Sequence, residues 1–299
     1  MSRNRDKIIV AVIIVSVIFL FFIFSGILFG LSRSAGGFDI ASLGGRVALV
    51  DVKGVITSSE NIVRQIRKYE DDGSIKALVL RVDSPGGGVA ASQEIYDQLL
   101  KFKDSGKFIV VSMGSVAASG GYYIACAADS IVANPGTVLG SIGVIISFPI
   151  FERLMDKVGV KMEVIKSGDL KDVGNYARQI TPADRKMLQA LIDDSYDQFI
   201  KVVAESRDLE IDSVRGFADG SVFTGRQAMQ FGLIDRLGTL QDAIVVAGEM
   251  ADLGDDPRTV KERPFRRPWW DLVMKLAGFD PGFLGLQRSW PHLEYRYGY

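Results

Sequence analysis

The sequence predicts an α/β domain with a parallel sheet, preceded by one N-terminal transmembrane helix. Two observations predict the domain: from Arg46 onward, short wholly apolar runs alternate with amphipathic stretches, and glycine-rich clusters follow two of those runs. Apolar runs without polar alternation mark strands buried on both faces, and helical crossovers join parallel neighbours. A third observation predicts the helix: Ile8 to Leu31 carries no charge.

In that first segment only Ser16, Ser25, Gly26 and Gly30 interrupt the apolar residues. About 20 such residues span a bilayer, whereas a cleavable signal peptide has an apolar core of roughly 7–15, so residues 1–31 read as a retained anchor. Arg3, Arg5 and Lys7 precede it and only Arg33 follows closely. That bias keeps the N-terminus in the cytoplasm and sends the bulk of the chain across the membrane. No later segment is long enough to return. Residues 32–45, rich in Gly and Ser, read as a flexible tether.

The domain then takes its elements in order. Val47–Val50 and Lys76–Leu80 are strand-like, with Ile62, Ile66 and Tyr69 on a helix between them. Val89–Phe102 is a second helical stretch and Phe108–Ser112 a third strand. Phe151–Val158 and then Met162–Ile165 continue the helix–strand alternation. Pro182–Arg207 is a long amphipathic helix, with Thr181 as N-cap and Pro182 at the first helical position. Neither a repeat nor a second domain interrupts residues 46–250. Residues 251–299 form a tail with Trp269, Trp270 and Trp290 among Pro264, Pro268 and Pro281. Within it, Trp269–Phe279 has the pattern of a short helix suited to a membrane interface or a neighbouring subunit, the alternative being a partly disordered tail.

Composition narrows the chemistry. A formal net charge of −1 gives no overall basic field to draw nucleic acid. Cys126 and His292 are each the sole residue of their type. One cysteine forms no internal disulfide, one histidine builds no multi-histidine metal site, and no metal or cofactor is expected. A hydrolase on this chain needs a base other than the histidine of a Ser-His-Asp triad.

Three stretches carry candidate chemistry. Ser119 lies where the Phe108 strand turns into a helical pattern, among Ala118, Gly120 and Gly121, where small neighbours admit a close approach and a helix start offers N–H groups. A serine capping a core helix is the alternative. Gly86-Gly87-Gly88 after Arg81-Val82-Asp83-Ser84-Pro85 leaves backbone N–H groups open to an oxyanion; a plain glycine turn is the alternative. Lys166 to Gly174 contains Lys171, which can serve as a base only if burial brings its pKa down from about 10.4. By itself that segment reads as a charged surface loop. Cys126, on the apolar stripe behind Ser119, reads as a small core residue.

Taken together, RVDSPGGGV, GSVAASGGYYIACAAD, PGTVLGSIGV, SGDLKD and DGSVFTGRQAMQFGLIDRLG resemble the signal peptide peptidase A family in its short, single-copy form. These are Ser-Lys peptidases of the Clp protease/crotonase-like superfamily, and the resemblance runs from Arg46 to Met250. It implies a fold of repeated ββα/βαβ units with Ser119 as nucleophile and Lys171 as general base. It further implies Ser141 as the group orienting the lysine, and the backbone N–H groups of Gly86 and Gly120 as the oxyanion hole. Peptide substrates, membrane lipid and a homo-oligomer (tetramer or octamer), with serine and lysine of one site drawn from neighbouring subunits, are implied as partners. Asn175-Tyr176 departs from the Ser-Pro-like pair the family carries after the lysine. Cleaved signal peptides are the implied substrate. A protease dedicated to one membrane protein, a crotonase-like acyl-thioester enzyme and a catalytically silent scaffold remain as alternatives.

Overall fold

Strands β1 (Arg46–Lys53) and β2 (Ile75–Ser84) pair in parallel, with α1 (Glu60–Asp71) crossing between them. Their side chains feed two buried faces in turn. Ala48, Val50, Leu78 and Leu80 enter one core, and Val47, Ala77 and Val79 enter the other. This two-sided burial is why the runs are apolar throughout. The chain continues through β3 (Gly86–Gly88), α2 (Val89–Asp104), β4 (Phe108–Ala118), α3 (Gly120–Ala125), β5 (Ser130–Ala133), β6 (Val138–Gly140) and α4 (Glu152–Lys157). A single 3-10 turn, Asp169–Asp172, precedes α5 (Pro182–Arg207) and α6 (Ile211–Phe217). Then come β7 (Val222–Thr224), α7 (Gly225–Gln230), β8 (Arg236–Leu237), α8 (Leu240–Met250), β9 (Thr259–Lys261) and β10 (Glu294–Arg296).

This computed structural model describes residues 45–262 and the backbone of 294–296. The chain divides into two compact units, Met1–Gly44 and Gly45–Tyr299, and every described residue belongs to the second. The expected anchor at Ile8–Leu31, the tether and the Trp269–Phe279 helix lie outside the described residues. Among the described residues no helix is long and apolar enough to cross a membrane.

The eight-stranded sheet runs β7-β6-β4-β2-β1-β9, with β5 pairing to β4 and β8. Its pairs are parallel except β6 with β7. One face is covered by α1, α2 and α5 through Ile66, Ile95, Phe102 and Phe199; the other by α8 through Ala243, Val246 and Ala247. Strand β4 changes partner along its length, pairing with β5 at Val110–Met113 and with β6 at Val116–Ala118. Asp83 makes that change possible. Its Oδ1 accepts the N–H groups of Ser115 and Val116, each at 3.1 Å. Only glycine fits at position 114, because an added Cβ would lie 2.8 Å from the Asp83 side chain.

Helix α5 has the bounds its sequence signals predict. Thr181 Oγ1 accepts the Asp184 N–H at 3.1 Å while Asp184 Oδ2 accepts the Thr181 N–H at 3.0 Å, a capping box with proline at the helix start. Three expectations need correction. Met162–Ile165 is not a strand: its backbone has no ladder partner, and Ile165 is 97% exposed. Its apolar residues have the strand pattern, but no open sheet edge or core of the described residues receives them. The glycine cluster, read as open N–H groups or a plain turn, is the short strand β3, because Ile56 on one side and β10 on the other supply it with partners. Finally, the sheet continues past residue 250, since β9 pairs with β1.

Candidate active site

Ser119 follows directly on the C-terminal end of β4, where the chain makes a strained elbow into α3. Its backbone has φ 53° and ψ −117°, which a side chain rarely tolerates and which costs about 1–3 kcal/mol. Three neighbours enforce it. Ser119 N–H donates to Gly140 O at 2.7 Å, and Ser119 O accepts the Tyr123 N–H at 2.8 Å. Gly121 lets the first turn close against β2, where an added Cβ would sit 2.9 Å from Ser84 O. The hydroxyl makes no helix-capping bond. It is the one buried side-chain oxygen or nitrogen among the described residues without a hydrogen-bond partner, in a residue 1% exposed. Desolvating a hydroxyl without a partner costs about 1–3 kcal/mol, so strain and desolvation fall on the same residue. Such coincidences cluster at functional sites.

Beside the elbow runs β3. Ile56 N–H donates to Gly86 O at 2.8 Å and Gly88 N–H donates to Ile56 O at 2.9 Å, so one edge of β3 is satisfied by Ile56. The approach is so close that a Cβ on Gly87 would lie 2.2 Å from Ile56 O. The opposite edge pairs antiparallel with β10, in the register Gly86–Arg296, Gly87–Tyr295 and Gly88–Glu294. Gly86, at φ 102°, donates its N–H to Ser84 Oγ at 3.1 Å, and Ser84 Oγ itself donates to Gly54 O at 2.6 Å. Gly120 opens α3, so its N–H precedes any intrahelical acceptor.

Ser141 is the neighbour of Ser119 across the sheet, one residue beyond the Ala118–Gly140 pair. It too has a positive φ, 50°, and its N–H donates to Ser221 O at 2.7 Å. The two serines therefore sit side by side at the ends of parallel strands, both buried. Behind them, Cys126 is buried as its apolar setting predicts, and that burial pushes its thiol up to about 11.

Lys171 stands apart. It lies in the 3-10 turn of the exposed stretch after α4, and no hydrogen bond joins it to Ser119 or Ser141 among the described residues. Its neighbour Asp172 is held by several contacts. Arg178 reaches it through Nε and Nη2 at 2.9 and 2.8 Å, and Lys166 Nζ at 2.8 Å. Those donors hold the Asp172 carboxyl well below the usual carboxylate range. Arg178 Nη1 also donates to Asp184 Oδ2, which with the Thr181 N–H keeps that carboxyl down at about 2. Asn175 and Tyr176 fit this setting: Asn175 Oδ1 accepts the Ala177 N–H at 2.9 Å, and Tyr176 O accepts the Phe151 N–H at 2.7 Å. The structure thus brings Ser119, Ser141, Gly86 and Gly120 into one neighbourhood and leaves Lys171 outside hydrogen-bonding reach. Sequence reading missed Ser84, β10 and Arg178. No local pattern marks them, because each acts through a partner distant in sequence or through a side chain in a stretch that reads as surface.

The profile of peptidase family S49 matches residues 101–254, and that of Clp protease matches residues 44–136. The slr0021 protein of Synechocystis sp., which carries a provisional protease name, is 45% identical over 236 residues, 79% of this chain and 84% of that protein. Protease 4 of Haemophilus influenzae is 36% identical over 220 residues, 71% of this chain and 36% of that one. The chloroplastic serine protease SPPA of Arabidopsis thaliana is 31% identical over 265 residues, 87% of this chain and 39% of that one. The chain thus spans little more than a third of the length of these last two. A ClpP1 variant of Listeria monocytogenes superposes with a TM-score of 0.45 at 15% identity, covering 66% of this chain and 94% of that one. The mixed α/β fold is Clp protease-like, and the chain belongs to peptidase family S49 as a serine protease.

Proposed function

We propose that this chain is a membrane-anchored Ser-Lys endopeptidase that degrades extended apolar peptides, cleaved signal peptides among them, on the extracytoplasmic side of the membrane. The observation that carries the reading is the Ser119 hydroxyl, held on a strained elbow and buried without a partner. Ser119 Oγ attacks the scissile carbonyl carbon while Lys171 Nζ takes its proton. The oxyanion is held by the N–H groups of Gly86 and Gly120, with Gly86 turning from Ser84 Oγ to substrate. Lys171 returns the proton to the leaving amine, and water, deprotonated by the same amine, then releases the acid product. Ser141, beside Ser119, orients the incoming lysine.

The lysine comes from a neighbouring subunit of a homo-oligomer. Supporting this, the stretch that bears it exposes apolar side chains that find no core among the described residues, with Val158 65% and Ile165 97% exposed. An extended peptide takes the place of β10 on β3, displacing it from an edge that main-chain pairing alone fills. The anchor and its orientation follow from the uncharged Ile8–Leu31 segment and the basic residues ahead of it.

The test is hydrolysis of an apolar reporter peptide by the full chain in detergent, beside Ser119→Ala and Lys171→Ala. Each substitution is expected to lower kcat by about 10³-fold or more. Activity surviving Lys171→Ala would refute the dyad, and activity surviving Ser119→Ala would refute the nucleophile.

A further inference from the structure

We infer that Arg178 and Asp172 are positioning residues for Lys171, strapping its turn to the N-terminus of α5. This rests on the reading of Lys171 as the base. The Asp169–Asp172 turn buries none of its residues, so packing does not hold it. Polar contacts do. The Arg178 guanidinium grips Asp172 with a two-point fork, and Nη2 also donates to Asp172 O at 3.3 Å. A fork of this kind fixes orientation as well as distance. On its other side Arg178 binds Asp184, which is 1% exposed and closes the capping box of a 26-residue helix. Lys166 Nζ completes the strap, donating to Asp169 O at 2.9 Å and to Asp172 Oδ1. The turn that carries Lys171 is therefore tied to a rigid element by one arginine, although the surrounding stretch has little core of its own.

The strap also sets the charge around the lysine. The groups that face its turn are Lys166, Asp169, Asp172 and Arg178, with Asp184 behind them and Glu152 of α4 bonded to Gln179 at 2.9 Å. Asp172 is shared between two cations, so its carboxylate is occupied and does not pair with Lys171. Each half of this balance can be removed separately. Asp172→Asn leaves Lys166 and Arg178 uncompensated, which favours the neutral amine. Arg178→Gln leaves Asp172 answered by Lys166 alone and Asp184 without its arginine, so both carboxylates favour the ammonium.

The experiment measures kcat and KM against pH for the full chain and for Asp172→Asn, Arg178→Gln and Arg178→Lys, with Lys171→Ala as reference. Misplacement of a reacting group by ~1 Å costs on the order of 10²-fold, and a loss of kcat of that order with KM unchanged is expected for Asp172→Asn and Arg178→Gln. The pH midpoint of kcat should move down in Asp172→Asn and up in Arg178→Gln. Arg178→Lys, which keeps the charge and loses the fork, should lower kcat with the midpoint in place. Parental kcat in both variants, or losses with unmoved midpoints, would overturn the strap. Should either variant fail to assemble, Asp172→Glu and Arg178→Lys, which keep the charges, carry the test: a loss of kcat at unchanged KM with parental thermal stability supports the strap, and parental kcat or a parallel loss of stability overturns it. Parental activity in Lys171→Ala would instead overturn the reading of the base, so the two failures are distinct.

Discussion

The two halves of the candidate site are built in opposite ways. Ser119 is 1% exposed, its backbone forced into an unfavourable conformation by a parallel sheet, a helix start and close-packed glycines. Lys171 sits on an exposed stretch with a single 3-10 turn, apolar side chains facing outward and a polar strap in place of a core. The serine half holds its geometry from its own chain. The lysine half exposes apolar side chains that no core of the described residues receives. On the proposed reading, a site divided this way couples chemistry to assembly: serine and lysine meet once a neighbouring copy covers the second surface.

The sharpest way to break this contrast is to mix Ser119→Ala protein with Lys171→Ala protein under conditions of subunit exchange. Activity should return in mixed assemblies by far more than either variant alone provides. If exchange is demonstrated and no activity returns, serine and lysine of one site come from the same chain. Next in size is a difference in stability. Phe102→Ala, in the core between α2 and the sheet, should cost about 3–5 kcal/mol of unfolding free energy, measured by denaturant titration. Ile165→Asp should leave that stability within about 0.5 kcal/mol while abolishing assembly and activity, seen by sedimentation and peptide hydrolysis. Equal destabilisation by both would mean that the lysine half folds as part of the core.

A smaller effect belongs to the elbow itself. Ser119→Gly should unfold later than Ser119→Ala, by roughly 1 kcal/mol, because glycine tolerates a φ of 53° and alanine does not. Equal midpoints would show that the elbow carries no strain. Smallest is an acid effect on the strap. Asp184 is held down at about 2 by Arg178, so its contribution is present above the ordinary carboxylate value of 3.8 and fades as pH falls toward about 2. Asp184→Asn should therefore flatten the loss of thermal stability over that window, and an unchanged slope would refute the linkage.

Much of the serine half was legible in the residues. Apolar runs without alternation gave β1, β2 and β4, and Thr181-Pro182 marked the start of α5. The setting of Ser119 was also readable, since small residues at a strand-to-helix turn leave few alternatives. The lysine half was not. Met162–Ile165 has the apolarity of a strand, but periodicity reports which residues avoid water and not which molecule shelters them. Arg178 and Asp172 are indistinguishable from surface charges until α5 fixes where Asp184 lies. The pairing of β3 with β10 joins residues about two hundred apart in sequence, and three glycines contain no register signal.

Those three glycines have one more consequence. Gly86, Gly87 and Gly88 offer a neighbouring chain nothing but peptide groups, and Gly87 cannot become anything larger against Ile56. A peptide that takes the place of β10 there, as proposed, would be selected for lying straight rather than for its side chains. Access to such a bench would then turn on the visitor's conformation: a folded domain would be turned away intact, while a slack segment of the same protein would be admitted.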